Sequence, residues 1–117
     1  MTEQHTTEER ELEMQLEQAR RVAELNALME PRAVSAEYDA AEHRIVVRLR
    51  SGAVFSFPVR IAQGIAEGTA AELAEVEVTP AGDGLHWEGL DADLSVAGLL
   101  AGRFGSGAWM AGLRASL

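Results

Sequence analysis

The spacing of hydrophobic residues changes character several times along this chain of 117 residues. Through residues 1–30 the apolar positions Leu12, Leu16, Ala19 and Ala23 recur at helical spacing, and Val22, Leu25, Leu28 and Met29 widen the stripe toward its end. Thr6 and Thr7 stand before Glu8 and Glu9, a start signal with acids in the first turn. Glu30 precedes Pro31, and a proline disfavours helix in the residue before it. The segment therefore predicts one long helix. Its stripe is too short and too rich in alanine for a sustained coiled coil. Two fates stay open: packing on its own domain, or pairing with a partner or a second copy.

Beyond residue 32 the period drops to two. Residues 33–38 alternate weakly, residues 39–42 read as a turn, and residues 44–50 form a strong strand. In that strand Ile45, Val47 and Leu49 face one way, while Arg44, Arg48 and Arg50 share the other face with Val46. Ser51-Gly52 turns the chain into residues 53–58, with Phe55 and Phe57 on one face. Pro58 lacks an N–H, so the ladder stops there or lies at an edge.

Helical character returns in residues 59–74, broken by Gly64 and Gly68. Thr69 with Glu72 predicts a capping box for a short helix. Residues 76–79 read as a strand with Val76 and Val78 inward, residues 80–84 as a loop, and residues 85–87 as a return to the sheet. Residues 89–93 read as a corner. Ser95 then caps a short apolar helix that Gly102 ends. The last stretch is glycine-rich yet keeps Phe104, Trp109, Met110, Leu113 and Leu117, with a loose helix expected from about Ser106. Such apolar residues predict docking, back onto the domain or onto a partner.

The expected fold is α+β: a long N-terminal helix, then a small, mostly antiparallel sheet with short helices. The expected divisions are a helical arm (1–31), an α+β domain (32–102) and an apolar tail (103–117).

Composition narrows the function classes. There is no cysteine, which removes disulfides and thiolate metal sites and fits a reducing compartment. The formal net charge is −9, from 19 acidic against 10 basic residues, and all ten are arginines. Nucleic acid repels such a surface unless the arginines are gathered on one face. The polar, acidic start is not a signal peptide, and no apolar run approaches the length of a membrane span. A cytoplasmic protein is expected.

Some of these residues also carry a family pattern. Phe57-Pro58, then Ile65-Ala66-Glu67-Gly68-Thr69, Glu72-Leu73-Ala74, Val76-Glu77-Val78, Gly82-Asp83-Gly84, His86-Trp87, and Leu90-Asp91-Ala92-Asp93-Leu94-Ser95-Val96 with Leu99-Leu100 lie in order. With the strand before Ser51 they resemble the bacterial domain of unknown function 2442 over about residues 34–102. Ile61 stands where members often carry tryptophan, and Gln63 and Ala70 where they often carry proline, so the wall those residues build is expected to differ. The resemblance implies a small prokaryotic or phage α+β domain. Some members are similar to proteins encoded beside toxin-like partners, and others continue into a helix-turn-helix segment. No recognition helix is legible after Gly102.

Asp91 and Asp93 form a carboxylate pair but lack the further oxygen ligands a metal wants. Their simpler role is to favour the positive end of the helix that follows. Alternation sends Trp87 into the core and His86 toward a polar rim. The histidines do not have metal-ligand spacing, and no serine sits in a nucleophile elbow or evident triad.

The reading that results is a non-enzymatic interaction module without cofactor or small-molecule substrate. Its partner would be a toxin-like, phage or host protein, or a second copy. The expected contacts are Leu12, Leu16, Val22, Leu25 and Met29 on the arm, and Trp109, Met110 and Leu113 on the tail. Trp87, Leu90, Asp91, Asp93 and Ser95 hold the fold. The alternative is a nucleic-acid-binding or regulatory protein using Arg44, Arg48 and Arg50. An enzyme built on His86, Asp91 and Asp93 requires those three side chains to converge.

Overall fold

A computed structural model describes residues 7–116. Thr6 and His5, and the side chains of Leu28 and Met29, lie outside the described residues. The chain divides into two units at Glu30/Pro31.

The first unit is α1 (Thr7–Met29), with Glu8 and Glu9 in its first turn. Acids there face the unpaired N–H groups of the helix start, which favour negative charge. Arg21 donates to Glu17 one turn away, at 2.8 Å.

The second unit carries two antiparallel three-stranded sheets rather than one. The first sheet is β1 (Ala33–Asp39), β2 (Arg44–Leu49) and β3 (Val54–Pro58), in that order. Its register sets Val47 opposite Ala36 and Phe55, and Ile45 opposite Tyr38 and Phe57. Ile45, Val47 and Phe57 are buried, so the predicted apolar face is the core face. Phe55 and Phe57 stack at 6.4 Å between centroids. A register shift between Ala33 and Ser35 leaves Val34 exposed.

A single 3-10 turn (Val59–Ile61) follows, and α2 (Ala70–Leu73) opens on the predicted capping box. Thr69 Oγ1 accepts from the Glu72 N–H, and Glu72 accepts from the Thr69 N–H at 3.0 Å. The helical stretch expected over 59–74 is therefore two short pieces.

The second sheet is β4 (Glu77–Val78), β5 (Gly84–Trp87) and β6 (Ala92–Ser95). β6 replaces part of the expected corner. Only Glu88–Leu90 turns, as a 3-10 segment, before the chain pairs back along β5. α3 (Val96–Leu100) has Ser95 as its cap, accepting from the Gly98 N–H at 3.0 Å. α4 (Gly107–Ser116) closes the described chain.

One core joins the two sheets and the short helices, with Trp87, Ile45, Ile65, Leu73, Leu85, Val47, Val59 and Val96 its largest fully buried side chains. The sheets meet where the Ala33 N–H donates to the Gly82 carbonyl at 2.7 Å.

Candidate functional site

Of the residues expected to meet a partner, the four on α1 whose side chains are described are exposed. Leu12 and Val22 are each 55% exposed, Leu25 57% and Leu16 59%. Large apolar side chains left this open on a regular helix mark a surface that something can cover. Met14 is exposed as well, which the periodicity had not singled out.

The tail corrects the other half of that expectation. Trp109, Met110 and Leu113 are half-buried rather than presented to a partner. The Trp109 indole N–H donates to the Ile61 carbonyl at 2.8 Å. Gln63 holds the segment on both sides: its N–H donates to the Phe104 carbonyl at 2.8 Å, and its Oε1 accepts from the Ser106 N–H at 2.7 Å. Phe104 packs on Phe57, 5.9 Å between ring centroids, and its N–H points at the Met110 sulfur at 3.3 Å. Residues 103–116 are thus part of the second unit, not a separate apolar end.

Ile61 and Gln63 are two positions at which the chain departs from the pattern it resembles. A proline at 63 would supply neither the backbone N–H nor the side-chain carbonyl that holds residues 104–106. The local sequence and the docked tail are matched to each other.

The outer face of the second sheet carries the one histidine constellation among the described residues that involves two carboxylates. Register sets His86 between Glu77 and Asp93. His86 Nδ1 lies 2.7 Å from Asp93 Oδ1, and Nε2 lies 2.8 Å from Glu88 Oε2. Glu88, first, and Asp93, second, hold the imidazole protonated and lift its pKa from 6.5 to about 9. At neutral pH both ring nitrogens therefore donate. Neither is left as a base or a metal ligand. Among the described residues no group of three or more His, Cys, Asp or Glu is arranged to hold a metal ion.

This clamp has a measurable consequence. The folded pKa lies above the ordinary value, so its contribution is complete below about pH 6.5 and is lost as pH rises through about 9. Stability of the natural chain is expected to fall across that window, and that of His86→Gln to stay flatter. Proton NMR of the His86 ring supplies the direct check. A midpoint near 6.5 would show that the carboxylates do not hold the ring.

Asp91 does not join this group, so the three residues of the enzymatic reading do not converge. It sits at the end of the 3-10 segment in left-handed backbone, φ 46°, and its N–H donates to the Glu88 carbonyl. The start of α3 is capped by Ser95 and has no acid in its first turn, while Asp93 bonds His86. The sequence reading missed Glu88 as the second partner. Its signal was its closeness in sequence, two residues from His86 at the point where β5 gives way to the 3-10 turn.

Trp87 is fully buried, and its indole N–H donates to the Leu73 carbonyl at 3.3 Å. Leu90 packs against the same core. Beside this wall lies a shallow, open hollow lined by Ala74, Glu75, Val76, Glu77 and Glu88.

The arginine row is occupied by the sheet's own groups. Arg44 donates to the Ser56 hydroxyl at 3.0 Å and to the Ser56 carbonyl at 3.1 Å. Arg48 donates to Glu37 across the ladder at 3.4 Å. Arg50 lies beyond the end of β2, exposed, in the turn. Two of the three cations expected to face nucleic acid are thus partnered within the sheet.

No helix among the described residues is long and apolar enough to cross a membrane. No curated protein matches the chain. Two solved structures resemble it. One is a crystal structure of a protein of unknown function from Rhodospirillum rubrum, 51% identical, with a TM-score of 0.67 over 69% of this chain and 98% of that one. The other is a solution NMR structure of an uncharacterised protein from Chromobacterium violaceum, 34% identical, with a TM-score of 0.67 over 83% of this chain and 89% of that one. The model of the family described as "Protein of unknown function (DUF2442)" matches residues 33–105, the stretch that builds both sheets and the core, and the chain belongs to that family.

Proposed function

We propose that this protein is a non-catalytic interaction module that meets another protein through α1. The observation that carries the reading is the exposure of Leu12, Leu16, Val22 and Leu25 on one regular helix. In the second unit Val34, Val54 and Leu100 are also exposed, but α1 carries the larger set, with Leu12 and Leu16 on one face and Met14, Val22 and Leu25 toward another. The two carboxylates that hold both ring nitrogens of His86 support the non-catalytic half of the reading, because neither nitrogen is free to act as a base or nucleophile. The internal pairing of Arg44 and Arg48, with the net charge of −9, weighs against a nucleic-acid surface. The action would be steric, by scaffolding or by covering a partner, as an antitoxin-like protein or an adaptor does.

The test uses the full chain as bait in affinity capture, beside the same chain with Leu16→Glu and Leu25→Glu. Something held by the natural chain, a second protein or another copy of itself, is expected to be lost from the variant. Equal retention by both baits, or nothing held by either, overturns the reading.

A further inference from the structure

We infer that α1 pairs with the α1 of a second copy, antiparallel, and that this copy is the partner that covers Leu12 and Leu16. The inference rests on the reading above and names the occupant. The argument is one of complementarity along the helix surface.

Leu12, Leu16, Ala19 and Ala23 follow spacings of four, three and four, so they form one narrow seam on α1. The seam is asymmetric, with large side chains toward the N-terminus and small ones toward the C-terminus. Two copies laid antiparallel about a twofold axis between Leu16 and Ala19 set each leucine against an alanine. Leu16 meets Ala19 of the other copy, and Leu12 meets Ala23. Every layer then holds one large and one small residue, and the helices approach closely without voids. A parallel pair stacks leucine on leucine and alanine on alanine, crowding one end and leaving the other underfilled.

Charge selects the same arrangement. Glu13 and Arg20 lie on one flank of the seam, two turns apart. In the antiparallel pair that flank meets its own copy, so Glu13 faces Arg20 of the second chain and Arg20 faces Glu13. The symmetry makes the pairing twofold. A parallel pair brings Glu8 of one chain toward Glu13 of the other, a like-charge contact. On the opposite flank the antiparallel pair covers Val22, which is 55% exposed in the single chain. The alanines that weaken a long coiled coil are what this short pair requires.

Light scattering on the full chain, over a concentration series reaching the millimolar range, reads the result. The mass is expected to rise from 12.6 kDa toward twice that value. Leu16→Glu is expected to return it to one chain. Glu13→Arg and Arg20→Glu should each weaken the pair, and the two together should restore it, because each new charge meets its opposite. Far-UV circular dichroism on every variant checks that α1 remains helical. A single-chain mass at every concentration overturns the inference, as does a dimer indifferent to Leu16→Glu. A dimer that the double charge exchange fails to restore overturns the antiparallel register. Should the bait lose a different protein on Leu16→Glu while staying a single chain, self-pairing fails and the interaction-module reading stands.

Discussion

Replacing Trp87 by alanine is expected to remove about 3–5 kcal/mol of stability, the usual cost of deleting a buried tryptophan or phenylalanine side chain. Trp87 is the largest of the fully buried side chains and stands where both sheets and α2 converge. Leu73, Leu85 and Ile65 of the same core are equally closed to solvent. The change also removes the donor to the Leu73 carbonyl. The Leu73 carbonyl then keeps only the long bond from the Val76 N–H at 3.4 Å, so the loss of the indole adds a little to the cost. Domains of this size hold about 5–15 kcal/mol in total, so the variant keeps only part of its stability. Urea unfolding followed by far-UV circular dichroism measures this. A midpoint close to that of the natural chain would sink the claim that the indole is the centre of the core.

Gly82→Ala is expected to cost about 1–3 kcal/mol, although the residue lies in a loop. Its backbone is left-handed, φ 78°, and an added Cβ would stand 2.8 Å from the Ala33 carbonyl oxygen. That obstacle is backbone, not a side chain that swings aside. The same glycine accepts the Ala33 N–H at 2.7 Å, so moving it loosens the seam between the first sheet and the β4–β5 turn. The turn is otherwise well tied: Thr79 Oγ1 donates to Asp83 at 2.8 Å and accepts from the Gly84 N–H at 3.0 Å. Gly112→Ala is the control. It lies in α4 with nothing within 4 Å of its added Cβ. There alanine is expected to gain about 0.5–1 kcal/mol, through helix propensity. Thermal unfolding of the pair of variants should move in opposite directions.

The docked tail and the open arm change how this protein's apolar residues are understood. Both were equally greasy in sequence, and both were expected to grip something. Trp109 found a carbonyl acceptor within its own unit, and Phe104 found Phe57. The row on α1 stays exposed.

Much of the architecture was legible in the residues themselves. Period two in residues 44–49 fixed which face of β2 is buried, because a strand's side chains must alternate. Pro31 marked the end of α1, and Thr69 with Glu72 marked the start of α2, since both signals act through hydrogen bonds within a few residues. The Gly-Leu-His-Trp run fixed Trp87 as core and His86 as rim.

What needed the folded chain was everything set by distant pairing. Residues 92–95 contain an aspartate and a serine with little strand preference, and they are a strand because β5 offers them a ladder. Glu88 stands two residues from His86 in sequence, but Asp93 becomes the second partner only when that ladder forms, so the doubly held imidazole has only half a local signature. The destination of Trp109 depended on a carbonyl 48 residues away, and that separation hides it from any local pattern. Local hydrogen bonding and periodicity are written in sequence; which long-range contact a greasy or charged residue finally makes is decided by the packing of the whole domain.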